Sequence, residues 1–221
     1  MWFDYSACGG VALYTEWVLT AAHCVEQFGY IWPREQWYYV YTGVSSTGVG
    51  DKKEITEIII HEQYKENKEC EFCHDIALLR VKPKIKAGSI VQKHSGSAEN
   101  TYKDCVQIGL HHINGTTNMG GLAKNIITVK PDMACENINV AANQPEAYYN
   151  STIMMCGHSR DKWTGVLPGD SGSPVICHEL SGHIVVGVQS HKIKTRDSNR
   201  NEYPEIFTRY SAYVDWIDKR I

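Results

Sequence analysis

Three short strings hold residue types that could do chemistry together: WVLTAAHC (17–24), HDIALLRV (74–81) and GDSGSP (169–174). A serine hydroxyl is a weak nucleophile until an imidazole takes its proton. That imidazole in turn needs a carboxylate to fix its tautomer and stabilise its charged form. His23, Asp75 and Ser171 supply the three groups, each at or near the end of an apolar, strand-like run. Singly they say little, since a histidine beside a cysteine is usually a core or turn residue and an aspartate before an apolar run usually marks strand entry. Ser171 is more telling. Gly169 and Gly172 flank it, and Pro174, Val175 and Ile176 follow at once as a buried-strand signal, so a plain surface turn explains only the glycines. Asp170 stands directly before the serine, and an acid held in so tight a bend needs a counterion.

Groups this far apart in sequence need a substantial core to bring them together. A chain of 221 residues allows one large domain or two small ones fused over a shared cleft. Most of it reads as short strands separated by Gly-, Asn- and Ser-rich turns: EWVLTA, WYYVYTG, EITEIIIH, DIALLRV, NIITVK, SPVIC and HIVVGV. One helix signal is clear, YSAYVDWIDKRI, in which Tyr213, Val214, Ile217 and Ile221 share a face. The polar stretch that follows residue 83 has little periodicity and divides the chain into 1–83, a connection over 84–104, a β-rich unit over 105–209 and a terminal helix over 210–221.

Composition narrows the function classes. Hydrophobic residues make up 43% and charged residues 21%, ordinary values for a globular chain, and the net charge of −3 offers nothing to nucleic acid or an anionic membrane surface. No apolar stretch approaches the roughly 20 residues that cross a bilayer. The start, MWFDYSACGG, has neither the basic beginning nor the apolar core of a secretory signal. Eight cysteines, an even number, nevertheless suit four disulfides and an oxidising compartment. The sequons at Asn114 and Asn150 agree with secretion.

In the order His, Asp, Ser, the strings TAAHC, DIALL and GDSGSP resemble the chymotrypsin-like serine proteases, and the likeness extends from CGGVALYTEWVLTAAHC to YVDWIDKRI. It implies an all-β fold, a double antiparallel β-barrel with a short C-terminal helix, the first barrel being incomplete. It also implies a secreted serine endopeptidase working through an acyl-enzyme. By that likeness His23 is the general base, Asp75 orients it and Ser171 attacks the scissile carbonyl. The backbone N–H groups of Gly169 and Ser171 would form the oxyanion hole. The family commonly has a glycine where this chain has Ser173, so some repacking behind the nucleophile is expected. The implied partners are a polypeptide substrate and protein protease inhibitors, for a monomer with no cofactor, no metal, no nucleic acid and no membrane.

The same resemblance implies the disulfides Cys8–Cys24, Cys105–Cys177 and Cys135–Cys156. The bridge that many relatives place across the specificity pocket is missing, with Leu167 at one of its positions and no cysteine after Cys177. For Cys70 and Cys73, in CEFCHD, three readings are open: c-type haem attachment, a zinc half-site, or a local disulfide stiffening the loop before Asp75. The local disulfide is preferred, because no second haem or zinc signal exists.

At the specificity pocket the resemblance places Gly165 on the floor, where trypsin-like cleavage after Lys or Arg needs a carboxylate. Ser190 matches the substrate-aligning strand, His191 replaces the customary tryptophan, and Lys192 stands where a glycine normally admits the substrate side chain. Glu205 falls where relatives keep a small residue, and it could receive a basic side chain, pair with Lys192, or belong with Lys192 to a solvated loop. In the family the acid at Asp170 pairs with an α-amino group released by activation. This chain starts just before the family's Cys-Gly-Gly, so two readings compete: a truncated secreted protease, which is favoured, or a zymogen-like or catalytically silent homologue that binds a partner. As written, the polypeptide is expected to be poorly active.

Overall fold

A computed structural model describes residues 8–26, 39–43, 50–64, 70–86, 105–112, 119–130, 132–142, 148–160, 169–179, 182–193 and 204–221. Five strands from the first part of the chain form one antiparallel sheet in the order β1-β2-β5-β4-β3: β1 (Val11–Tyr14), β2 (Trp17–Thr20), β3 (Tyr39–Thr42), β4 (Asp51–Ile60) and β5 (Ala77–Lys82). Six strands from the second part close into a barrel in the order β10-β11-β8-β7-β6-β9. They are β6 (Cys105–His112), β7 (Met119–Val129), β8 (Met154–Ser159), β9 (Pro174–Glu179), β10 (Gly182–Lys192) and β11 (Glu205–Arg209).

Side-chain alternation explains the local choices. In β5 the residues Ala77, Leu78, Leu79 and Val81 are buried while Arg80 and Lys82 face water, the pattern of a sheet with one covered face. β2 is buried along its whole length, as a central strand between β1 and β5 should be. Lys53 breaks the rule by pointing inward from β4, and its Nζ is satisfied by the carbonyl of Lys84 at 3.3 Å.

One core cluster joins the sheet to the barrel. Leu13, Leu19, Ala21, Ile76 and Leu78 from the first part pack with Val185, Val188, Tyr210, Tyr213 and Ile217 from the second. The chain end reads as a 3₁₀ turn over Tyr210–Tyr213 followed by α3 (Val214–Asp218), shorter than the periodic stretch suggests. Burying Ile217 completely contributes about 2–3 kcal/mol, enough to dock so short a helix. A second helix, α2 (Asp132–Ala142), carries little apolar signal and escapes sequence analysis. It is tied down by the Cys135–Cys156 disulfide and by Arg209, whose Nη2 lies 2.5 Å from Asp132 Oδ1.

Candidate active site

His23 opens the one-turn helix α1 (His23–Glu26), which follows β2 directly. Its backbone N–H donates to Asp75 Oδ1 at 2.9 Å, and its Nδ1 lies 2.7 Å from Asp75 Oδ2. Two contacts to one carboxylate fix the ring's orientation and direct Nε2 away from Asp75. Asp75 is fully buried, and a buried carboxylate is tolerated only when its oxygens are satisfied. Ser190 on β10 donates to Oδ2 at 2.5 Å, and Thr208 on β11 holds the Asp75 carbonyl at 2.8 Å. The acid therefore lies just before β5 in sequence and is held from both sides, by His23 and by the barrel residues Ser190 and Thr208.

His74, immediately before Asp75, has φ 57, a left-handed conformation costing about 1–2 kcal/mol for a residue with a Cβ. Its surroundings offset that cost. The Tyr213 hydroxyl sits 3.0 Å from His74 Nδ1, and the His61 ring stacks on it at 4.8 Å with an interplanar angle of 10°. Trp216 lies 5.0 Å from His61 and donates through Nε1 to Glu62 at 2.8 Å, while Arg220 also pairs with Glu62. Burial and the neighbouring His74 push the His61 imidazole down to about 4.

Ser171 sits in a bend where Gly169 (φ 103) and Gly172 (φ 76) occupy the left-handed region that a side chain resists. A Cβ on Gly172 would come within 2.3 Å of Thr20 Oγ1 and 2.5 Å of the Gly9 carbonyl, so the bend presses against the chain just before His23. Backbone bonds pin it further: Gly9 N–H to Ser171 O at 2.7 Å, Gly172 N–H to Gln189 O at 2.8 Å, and Ser173 N–H to Asp170 O at 3.0 Å. Asp170 is buried against Gly109, where a Cβ would stand 2.0 Å from its Oδ1. The Ser173 hydroxyl is accommodated because Gly9 faces it without a side chain. The structure holds His23 against Asp75 through two bonds and seats the Ser171 bend against Gly9 and Thr20, the segment that leads into His23.

Cys8–Cys24, Cys105–Cys177, Cys135–Cys156 and Cys70–Cys73 are all bonded. The last closes a local loop, which sets aside both the haem and the zinc reading of these cysteines. Cys8, His23 and Cys24 are near enough to suggest a metal site, but both thiols are consumed by their disulfide and His23 Nδ1 is engaged by Asp75. At the pocket, Gly165 and Leu167 lie outside the described residues, as does the sequon at 114–116. The solvated-loop alternative for Lys192 and Glu205 fails. Glu205 is 2% exposed and faces Lys192 directly across the β10–β11 ladder, because β10 runs on through Lys192. Ser159 donates to Glu205 Oε1 at 2.8 Å and itself receives a bond from Asn125 at 2.6 Å. Burial pushes the Lys192 ammonium down, opposed by the charges of Glu205 and Asp170.

Two neighbours of the site escape sequence reasoning. Phe72, inside the Cys70–Cys73 loop, stands edge-on to His23 at 5.9 Å and stacks on His191 at 4.5 Å. The C-x-x-C spacing hints that something in this loop is held in place, but not which residue. Thr208 carries no sequence signal at all.

A closed β-barrel joined to a second antiparallel sheet, with a histidine–aspartate pair and a glycine-flanked serine between them, is the architecture of a chymotrypsin-like serine protease. The family model described as Trypsin matches residues 3–217, and the chain belongs to that family. It is 28% identical over 228 residues to chymotrypsin-like elastase family member 1 of Canis lupus familiaris, covering 98% of this chain and 82% of that protein. The Homo sapiens protein of the same name is likewise 28% identical over 228 residues, covering 98% of this chain and 82% of its own length. That of Bos taurus is 28% identical, with 98% and 79% covered.

Proposed function

We propose that this chain is a secreted serine endopeptidase that hydrolyses peptide bonds through an acyl-enzyme. Ser171 Oγ attacks the scissile carbonyl carbon while His23 Nε2 takes its proton. The oxyanion that forms is received by the N–H groups of Gly169 and Ser171. His23 then returns the proton to the leaving amine, and water, activated by the same nitrogen, releases the acyl group. Asp75 holds the ring and stabilises its charged form. Asp170 anchors the bend, and Gly165, Ser190, Lys192 and Glu205 are the residues proposed to meet substrate. The two strand groupings support the division at 84–104, and the four disulfides support an extracellular site of action.

The observation that carries this reading is the doubly held His23–Asp75 pair beside a serine that two left-handed glycines present. The relatives are named as chymotrypsin-like elastases, and a preference for a particular side chain is not proposed for this chain. A second reading, a binding homologue without activity, is favoured by Lys192 pairing across the ladder with the buried Glu205, at positions where the resemblance expects small residues. A fluorophosphonate probe separates the two. Labelling that disappears in Ser171→Ala supports the enzyme; no labelling of a full-length, activated form at any pH between 5 and 9 supports the binder.

A further inference from the structure

The customary aromatic after Ser190 is here an imidazole, and its surroundings give it more to do than packing. His191 Nδ1 lies 3.1 Å from Ser190 Oγ, which donates to Asp75 Oδ2 at 2.5 Å, which meets His23 Nδ1 at 2.7 Å. We propose that His191 is a positioning residue for acyl transfer: its Nδ1–H donates to the Ser190 hydroxyl, committing that hydroxyl's single proton to Asp75 and so holding the carboxylate against His23.

The proton count forces the direction. A serine hydroxyl has one hydrogen to give, and Ser190 gives it to the carboxylate. The second bond at the same oxygen must then be received, which puts the hydrogen of neutral His191 on Nδ1 and leaves Nε2 bare. Each bond in such a chain polarises the next, so the incoming N–H strengthens the outgoing O–H···O contact.

Backbone geometry makes the arrangement possible. The β10–β11 register slips between Gln189 and His191, giving β10 one residue more than β11 at Ser190. Such a bulge turns two successive side chains toward one side, where strict alternation would send them apart. The ring itself is clamped, stacked on Phe72 at 17° between planes, with Phe72 fixed by the flanking Cys70–Cys73 disulfide.

Among the described residues, the charged and titratable groups facing His191 are Asp75 and His23. Burial pushes the His191 imidazole down to about 4 and His23 acts in the same direction, with Asp75 opposing. His191 is therefore neutral, and still a donor, throughout the range in which His23 would work as a base.

This inference rests on the proposed roles of His23 and Asp75, and its test is built to fail separately from theirs. His191→Phe keeps a ring on Phe72 but has no N–H, whereas His191→Asn keeps an N–H near the Nδ1 position without the stacked ring. The rate of fluorophosphonate labelling is measured for each from pH 5 to 9. The expected result for Phe is about 2- to 10-fold slower labelling, the size of one lost hydrogen bond. Its acid limb also moves to higher pH, because a carboxylate less occupied by Ser190 favours the charged form of His23. Asn restores the position of the limb. A Phe variant matching the parent in rate and limb overturns the proposal and leaves His191 as packing. Nitrogen-15 NMR of histidine-labelled Ser171→Ala protein decides the matter even if the parent is never labelled or the Phe variant misfolds: hydrogen on His191 Nδ1 near pH 7 is expected, and hydrogen on Nε2 overturns it. Failure of the parent to react at all counts against the proposed function and not against this tautomer.

Discussion

Replacing His61 by asparagine removes a titration that ties the last helix to the segment carrying Asp75. Neutral His61 accepts the Gln63 N–H at Nδ1 (3.2 Å), and its ring lies between His74, Tyr213 and Trp216. His74 and Arg220 disfavour its charged form and Glu62 favours it, with burial the largest influence, so its folded value falls to about 4 against the ordinary 6.5. A depressed histidine contributes stability that is fully present above about pH 6.5 and drains away as pH falls toward 4. The full difference corresponds to a ceiling of about 3 kcal/mol. Water reaching the edge of the cluster screens part of it, leaving about 1–2 kcal/mol. For a chain of this size that is roughly 3–6 °C in Tm. The assay is calorimetric melting of Ser171→Ala protein, chosen to prevent self-cleavage, with and without His61→Asn, at half-unit steps from pH 7.5 to 4. Asparagine keeps an acceptor for Gln63 and carries no charge, so the parent should lose this much more Tm than the variant across the window. Parallel curves for the two proteins would mean that His61 takes up its proton equally in the folded and unfolded chain.

Other consequences are as direct. Ser190→Ala withdraws one of the donors to a fully buried carboxylate; it should cost about 1–3 kcal/mol in urea unfolding and slow fluorophosphonate labelling about tenfold. Gly109→Ala places a methyl group 2.0 Å from Asp170 Oδ1, so Tm should fall by the equivalent of about 1–3 kcal/mol and labelling of Ser171 should weaken as the bend shifts. Replacing Cys70 and Cys73 together by alanine opens a short loop; stability should drop by about 2 kcal/mol or less, while kcat/KM on peptide substrates should fall further than the melting curve explains, because Phe72 loses its place against His23 and His191.

How far the sequence speaks depends on whether polarity and burial agree. β5 was legible because its apolar residues are inside and Arg80 and Lys82 are outside. β6 was not, since Gln107 is buried and Ile108 is 40% exposed; the buried amide is satisfied by Gln189 Oε1 at 3.0 Å, a partner 82 residues away. β11 hides for the same reason, with Glu205 and Thr208 turned inward and held by Ser159 and the Asp75 carbonyl. α2 lacks an apolar stripe because a disulfide and an ion pair anchor it instead. At the site, His23, Asp75 and Ser171 were legible from short strings because each needs particular neighbours in sequence. The layer around them was not. His61 and His74 meet only when β4 and β5 pair, and His191 turns toward Ser190 only through a bulge that no periodicity reveals.

In the proposed reaction Ser171 becomes covalently acylated with His23 as its base. Mixing a full-length, activated form with a p-nitrophenyl acyl ester in a stopped-flow instrument follows that acylation itself. A stoichiometric burst of nitrophenol is predicted, with the acyl mass found on the peptide holding Ser171, no burst in Ser171→Ala, and a severely slowed one in His23→Ala. Turnover without a burst, an acyl group on any other residue, or a burst that survives in Ser171→Ala would contradict it.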